Sequence, residues 1–159
     1  MENTEAITLK LLTEAYIDDL NQFELPEEQR QFTALPQEIS DLTEGQYGVM
    51  ILNRKEPVGF FLLHQTDRVK EYSENRKAIL LTALSINQVH QRKGYARKGM
   101  TILAEFVKEV FPECDEIVLA VNHRNIPAQK LYQNVGFTDT GKRKMGPKGE
   151  QYIMALRVL

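Results

Sequence analysis

The chain has 159 residues, 42% hydrophobic and 26% charged, enough apolar material to bury one core, so a single domain over residues 1–159 is expected. No apolar run approaches the roughly 18 residues that cross a membrane, and Met1 to Glu5 lack the basic start of a secretion leader, so a cytoplasmic protein without a membrane partner is expected. The net charge of -2 is unevenly spread: residues 1–48 hold two basic and eleven acidic side chains and residues 49–159 eighteen and eleven, which suits an anionic ligand on the second part and a cationic one on the first. Two solvated surfaces would carry the same charges. No long basic stripe interleaved with aromatic residues is present, which disfavours nucleic acid.

In chain order, residues 7–11 alternate like a short strand, and Thr13 offers an N-cap to a helix with Tyr16, Ile17, Leu20 and Phe23 on one side. Leu25-Pro26 interrupts it. Residues 27–36 read as a polar connector, after which Pro36 opens a second short helix with Ile39 and Leu42 inward and Gly45 at its end. Such a pair can line a binding site or be a plain surface excursion. Residues 47–52 and 58–64 form a hairpin across a turn at 53–57, and the aperiodic stretch 66–77 reads as a loop. His64 closes an apolar strand, a place open to catalysis but more often structural.

Residues 78–86 are apolar on both alternations, a central strand. A helix over 95–110 stops before Pro112, and residues 116–121 form a second buried strand, parallel to the first because a helix-length crossover separates them. Cys114, the single cysteine, excludes an internal disulfide or a cysteine zinc site and suits a structural role better than a nucleophilic one. Ile126-Pro127-Ala128 starts a helix with Ala128, Leu131, Tyr132 and Val135 on one face and Gly136 at its end. Strands at 137–145 and 151–158 close the chain across a turn at 146–149. The sum is an α/β (mixed α+β) chain with a central mixed sheet and helices on both faces.

The stretch from Leu84 to Met100 joins the first buried strand to its helix. Gly94 permits backbone angles that a Cβ resists. Arg92, Lys93, Arg97 and Lys98 surround it with positive charge, and unpaired amides open the helix, so the junction is built like a phosphate site. Gly94 and Gly99 supply neither a dinucleotide fingerprint nor a phosphate-loop ending, which argues against a nucleotide-binding enzyme.

Gln91-Arg92-Lys93-Gly94-Tyr95-Ala96 matches Gln/Arg-X-X-Gly-X-Gly/Ala, and Asn125, Ala128, Leu131, Tyr132, Gly136 and Phe137 match Asn-X-X-Ala-X-X-Leu-Tyr followed by Gly-Phe. Both patterns, in this order, resemble the GCN5-related N-acetyltransferase (GNAT) superfamily. The likeness is clear over residues 78–158; for residues 1–77 only the order of elements agrees. It implies a mostly antiparallel six- or seven-stranded sheet with a splayed parallel central pair, and acetyl-CoA as cosubstrate without a metal. Gln91, Arg92, Lys93, Gly94, Tyr95, Ala96 and Arg97 would hold the pyrophosphate. Leu84, Ser85 and Ile86 would form the strand edge on which pantetheine pairs like an extra strand. Asn125 would bind the cofactor arm or cap its helix, and Tyr132 would be both a cofactor contact and the general acid, since a phenol stays protonated at neutral pH.

The strands at 78–86 and 116–121 lack the glutamate base that many relatives place there. Asn87 or Ser85 ordering a water, His90 and His123 remain open, and a water chain or capture of the neutral amine is the working reading. The resemblance thus implies an N-acyltransferase acting by direct attack in a ternary complex; the alternative is a non-catalytic acyl-CoA-binding or sensing module. The early helices supply Asp18, Asp19, Glu24, Glu27, Glu28, Glu38, Asp41 and Glu44, so the expected acceptor is cationic: a polyamine, amino compound or basic peptide. A monomer or homodimer is expected.

Overall fold

Apolar, β-branched runs give the described residues seven strands, and the polar breaks between them give short helices. The computed structural model describes residues 6–39 and 41–158, so the reading of Met1 to Glu5 lies outside it. The strands are β1 (Ile7–Leu11), β2 (Gln46–Asn53), β3 (Glu56–His64), β4 (Ala78–Ile86), β5 (Glu116–Asn122), β6 (Thr138–Gly146) and β7 (Gly149–Arg157). The α-helices are α1 (Ile17–Leu20), α2 (Glu27–Arg30), α3 (Tyr95–Thr101), α4 (Leu103–Val110) and α5 (Ile126–Asn134). One sheet runs β1-β2-β3-β4-β5-β7-β6. All neighbours are antiparallel except β4 and β5, the mixed architecture expected.

The parallel pair is brief. Ala78, Ile79 and Leu80 face Glu116, Ile117 and Val118, and beyond them the strands part. A bulge in β4 accompanies the parting: Phe60 pairs with Ser85 but Leu62 with Thr82, so β4 holds one residue more than β3 over that span. Ala83 takes φ 59° there, a left-handed angle that an alanine adopts only against strain.

One sheet face carries α3, α4 and α5, with Ile79, Leu81, Ile117 and Leu119 packed against Tyr95, Met100, Leu103, Val107 and Tyr132. The other face has two covers. Leu20, Phe23, Leu25 and Leu35 lie over Met50, Leu52, Phe60 and Leu62, while Val69 and Tyr72 cover Leu80, Val118 and Ile153. Burial of an aromatic such as Phe60, 2% exposed, contributes roughly 1.5–3 kcal/mol. Thr82 and Ala120 stay half-buried. No helix among the described residues is long and apolar enough to cross a membrane.

Several local expectations need correction. The connector at 27–36 contains α2. The helix after Pro36 is a single 3-10 turn ending at Glu38, which binds back to the Leu35 amide at 2.8 Å. The loop at 66–77 contains a 3-10 turn over Asp67–Glu71, opened by the Thr66 hydroxyl accepting from the Arg68 amide. The helix over 95–110 breaks at Ile102, next to Thr101, whose hydroxyl donates to the Arg97 carbonyl at 2.7 Å and competes for the helix ladder. The first hairpin turn is tighter than 53–57, because Asn53 already pairs with Glu56 and Arg54 takes φ 59°.

Candidate active site

Gly94 is the N-cap of α3, with φ 81° and ψ 13°. A Cβ built there meets no atom within 4 Å, so the backbone lies open to a ligand. The Lys98 amide makes the first helix bond, to the Gly94 carbonyl at 3.0 Å, so the amides of Ala96 and Arg97 just before it precede the ladder and can face an anion. Arg92, itself at φ 67°, and Arg97 are exposed beside it. The buried Tyr95 phenol accepts from Asn53 Nδ2 at 3.1 Å, which anchors the helix start to β2.

Gly99 lets α3 lie close on the sheet, since a Cβ there would come within 2.9 Å of Ile51. From this loop a cleft of about 870 Å³ runs through the gap between β4 and β5 to α2. Leu84, Ser85, Ile86, Gln91, Arg92, Gly94, Tyr95, Ala96, Arg97, Asn125 and Tyr132 all line it. Lys93 does not, although its neighbours on both sides do.

The cleft's outer wall is tied to β4 and the basic loop by bonds distant in sequence. Gln29 and Gln91 exchange amide hydrogen bonds of 3.1 and 2.9 Å. Gln91 Nε2 also donates to the Ile86 carbonyl, and the Thr33 hydroxyl to the Leu84 carbonyl at 3.0 Å. Asn87 Oδ1 accepts from the Glu24 amide, and the Glu24 carbonyl from the Gln88 amide. The Leu84 and Ile86 carbonyls thus already accept one bond each, and each keeps a second lone pair for an extended ligand.

Tyr132 is 7% exposed, set edge-on to Phe137 at 5.5 Å. Burial pushes its phenol well above the usual value, so it stays a donor at neutral pH. Asn125 caps α5 through Oδ1, which accepts from the Ala128 amide at 3.3 Å. The base candidates divide: Ser85 and His90 line the cleft, Asn87 and His123 do not. Asn87 is engaged with Glu24; His90 lies 3.3 Å from Glu56 and edge-on to Tyr95; His123 packs near Gly149, off the cleft lining. Ser85 is 4% exposed, and its buried hydroxyl has no partner among the described residues. Cys114 is buried, its thiol raised by desolvation and donating to the Glu116 carbonyl.

Three cleft residues carry polar chemistry that their local sequence did not single out: Thr33, Thr82 and Gln29. Of the acidic residues expected to face a cation, Glu28 lines the cleft. Glu38 is held by Arg30 at 3.1 Å and, through the Leu35 amide first of all, has its carboxyl lowered.

The profile of the acetyltransferase (GNAT) family matches residues 9–137. An uncharacterized N-acetyltransferase, YbbJ, of Bacillus subtilis is 44% identical over 155 residues, 95% of this chain and 97% of that one. The spermine/spermidine N(1)-acetyltransferase of the same organism is 32% identical over 74 residues, 45% of this chain and 48% of that one. The fold is also that of the aminoglycoside acetyltransferase AAC(6')-Ib solved with coenzyme A and kanamycin, at 19% identity and a TM-score of 0.75 over 96% of this chain and 95% of that one. The chain therefore belongs to the acetyltransferase (GNAT) family, the acetyl-CoA-dependent N-acetyltransferases that its two motifs resemble.

Proposed function

We propose that the chain transfers an acetyl group from acetyl-CoA to the amine of a cationic acceptor, a polyamine, amino compound or basic peptide, by direct attack in a ternary complex. The observation that carries this reading is the continuity of one cleft from the open amides at Gly94, through the parted β4 and β5, to Glu28. The related Bacillus subtilis enzyme is named for spermine and spermidine, and the aminoglycoside acetyltransferase is solved with kanamycin, which supports an amine acceptor of this kind.

The residues fit the cosubstrate. Backbone amides near Gly94, with Arg92 and Arg97, would hold the pyrophosphate; the β4 edge at Leu84 and Ile86 would pair the pantetheine amides; Asn125 would reach the arm through its amide nitrogen. Acetyl-CoA supplies an activated acyl group. The acceptor ammonium first loses a proton to solvent, its nitrogen then bonds the acyl carbon, the carbon–sulfur bond breaks, Tyr132 protonates the departing thiolate, and the second proton shed by the acylated nitrogen restores the Tyr132 phenol through solvent. Juxtaposing two bound reactants supplies much of such a rate without a covalent enzyme intermediate.

Among the described residues Glu28 is the one carboxylate lining the cleft, and it sits on α2 rather than on β4 or β5. That favours, as a second reading, a module that binds acyl-CoA without turnover. Coenzyme A release measured across an amine panel separates the two. Turnover with cationic amines is expected; acetyl-CoA binding with no release on any amine would establish the second reading, and turnover confined to neutral or anionic amines would remove the cationic one.

A further inference from the structure

On the sheet face below α2, a chain of hydrogen bonds ends in one hydroxyl at the cleft. The Thr43 amide and hydroxyl both donate to Gln46 Oε1, at 2.9 and 3.0 Å. A backbone N–H can only donate, so the oxygen of the Gln46 carboxamide is fixed on Thr43 and its nitrogen is turned to His64 Nδ1 at 3.5 Å. With Nδ1 facing a donor, the hydrogen of the neutral imidazole sits on Nε2, 2.7 Å from Thr82 Oγ1. His64 is 1% exposed, so no water competes for either ring nitrogen. Thr82 therefore accepts from His64, and its own hydrogen has no protein acceptor among the described residues.

Thr82 is half-buried, lines the cleft and stands two residues past Leu80, where the β4–β5 pairing ends. The direction of the chain has a further consequence. His64 Nε2 carries a hydrogen, so it cannot take one from Thr82, and the pair is not a proton relay.

Resting on the transferase reading above, we propose that Thr82 selects the acceptor, its hydroxyl donating a hydrogen bond to an oxygen near the reactive amine. The site then favours amines that carry a hydroxyl, ether or carbonyl oxygen over plain alkyl polyamines, because a donor fixed from behind discriminates against a ligand that leaves it unpaired.

The test pairs bis(2-aminoethyl) ether with 1,5-diaminopentane, equal in length and differing by one oxygen in place of one methylene. Their kcat/KM ratio is measured in the wild type, Thr82→Val and Thr82→Ser; comparing ratios between proteins cancels the difference in amine basicity. The ratio is expected to fall at least fivefold in Thr82→Val and to recover in Thr82→Ser. Nitrogen-15 spectra of the wild-type imidazole, expected to show hydrogen on Nε2, test the orientation even if Thr82→Val fails to fold. An unchanged ratio in Thr82→Val, or hydrogen on Nδ1, would overturn the inference and leave the transferase reading standing. Acetyl-CoA binding without turnover on any amine would overturn both.

Discussion

At the scale of single residues, Tyr132 and His64 show burial acting in opposite directions. The Tyr132 phenol is held protonated by desolvation, and it lines the cleft with no hydrogen-bond partner among the described residues. Tyr132→Phe should therefore leave folding and coenzyme A affinity nearly unchanged while lowering kcat about 100-fold, the lower end of general acid contributions. Single-turnover kinetics with a calorimetric coenzyme A titration checks this, and unaltered kcat would remove the acid assignment. His64 is held neutral: burial, with help from the Arg68 charge, lowers its pKa from 6.5 to about 4. Between those values the unfolded chain binds a proton that the folded chain refuses, so stability is full above about 6.5 and is lost as the pH falls toward about 4. The loss is roughly 3 kcal/mol. Denaturant melts of wild type and His64→Leu from pH 7 to 4.5 read it as a slope that the variant lacks.

At the scale of elements, α5 separates structure from ligand chemistry within one side chain. Asn125 Oδ1 caps the helix, which leaves the amide nitrogen for the cofactor arm. Asn125→Asp keeps an oxygen cap, so Tm should stay within about two degrees, whereas Asn125→Ala should cost about 1 kcal/mol. Both variants should weaken coenzyme A at least tenfold, Asp adding charge repulsion; unchanged affinity in Asn125→Asp would restrict the residue to capping. The cap was legible in the sequence, because Asn125 stands one turn ahead of Ala128 and two residues before Pro127. The parallel pair and the Gly94 junction were legible for the same reason, being written in contiguous apolar runs and a local motif. The bulge at Ala83, the helix break at Ile102 and the bonds from Thr33 to Leu84 and from His64 to Thr82 were not. Each is decided by a partner across the sheet or by side-chain competition with the backbone, and neither leaves a periodic trace.

At the scale of the molecule, the uneven charge seen in composition meets in one cleft, lined by Arg92 and Arg97 and by Glu28, whose neighbour Gln29 is bonded to Gln91 of the basic loop. Each substrate would be drawn by the side chains of opposite charge. Solvent-exposed attractions of this kind weaken as the screening length shortens from about 10 Å at 0.1 M salt to about 3 Å at 1 M. The KM values for acetyl-CoA and for a cationic amine should therefore both rise with salt, while a neutral amine serves as control and stays flat. Glu28→Gln should raise the acceptor KM about three- to tenfold at low salt and flatten its salt dependence, while the acetyl-CoA KM stays unchanged or falls, since Glu28 repels an anion. Initial rates in a matrix of salt and both substrates make the comparison. If Glu28→Gln shifts both KM values equally, the charge acts on the fold as a whole or on α2 packing, and the acidic first part of the chain is a solvated surface rather than a guide for the acceptor.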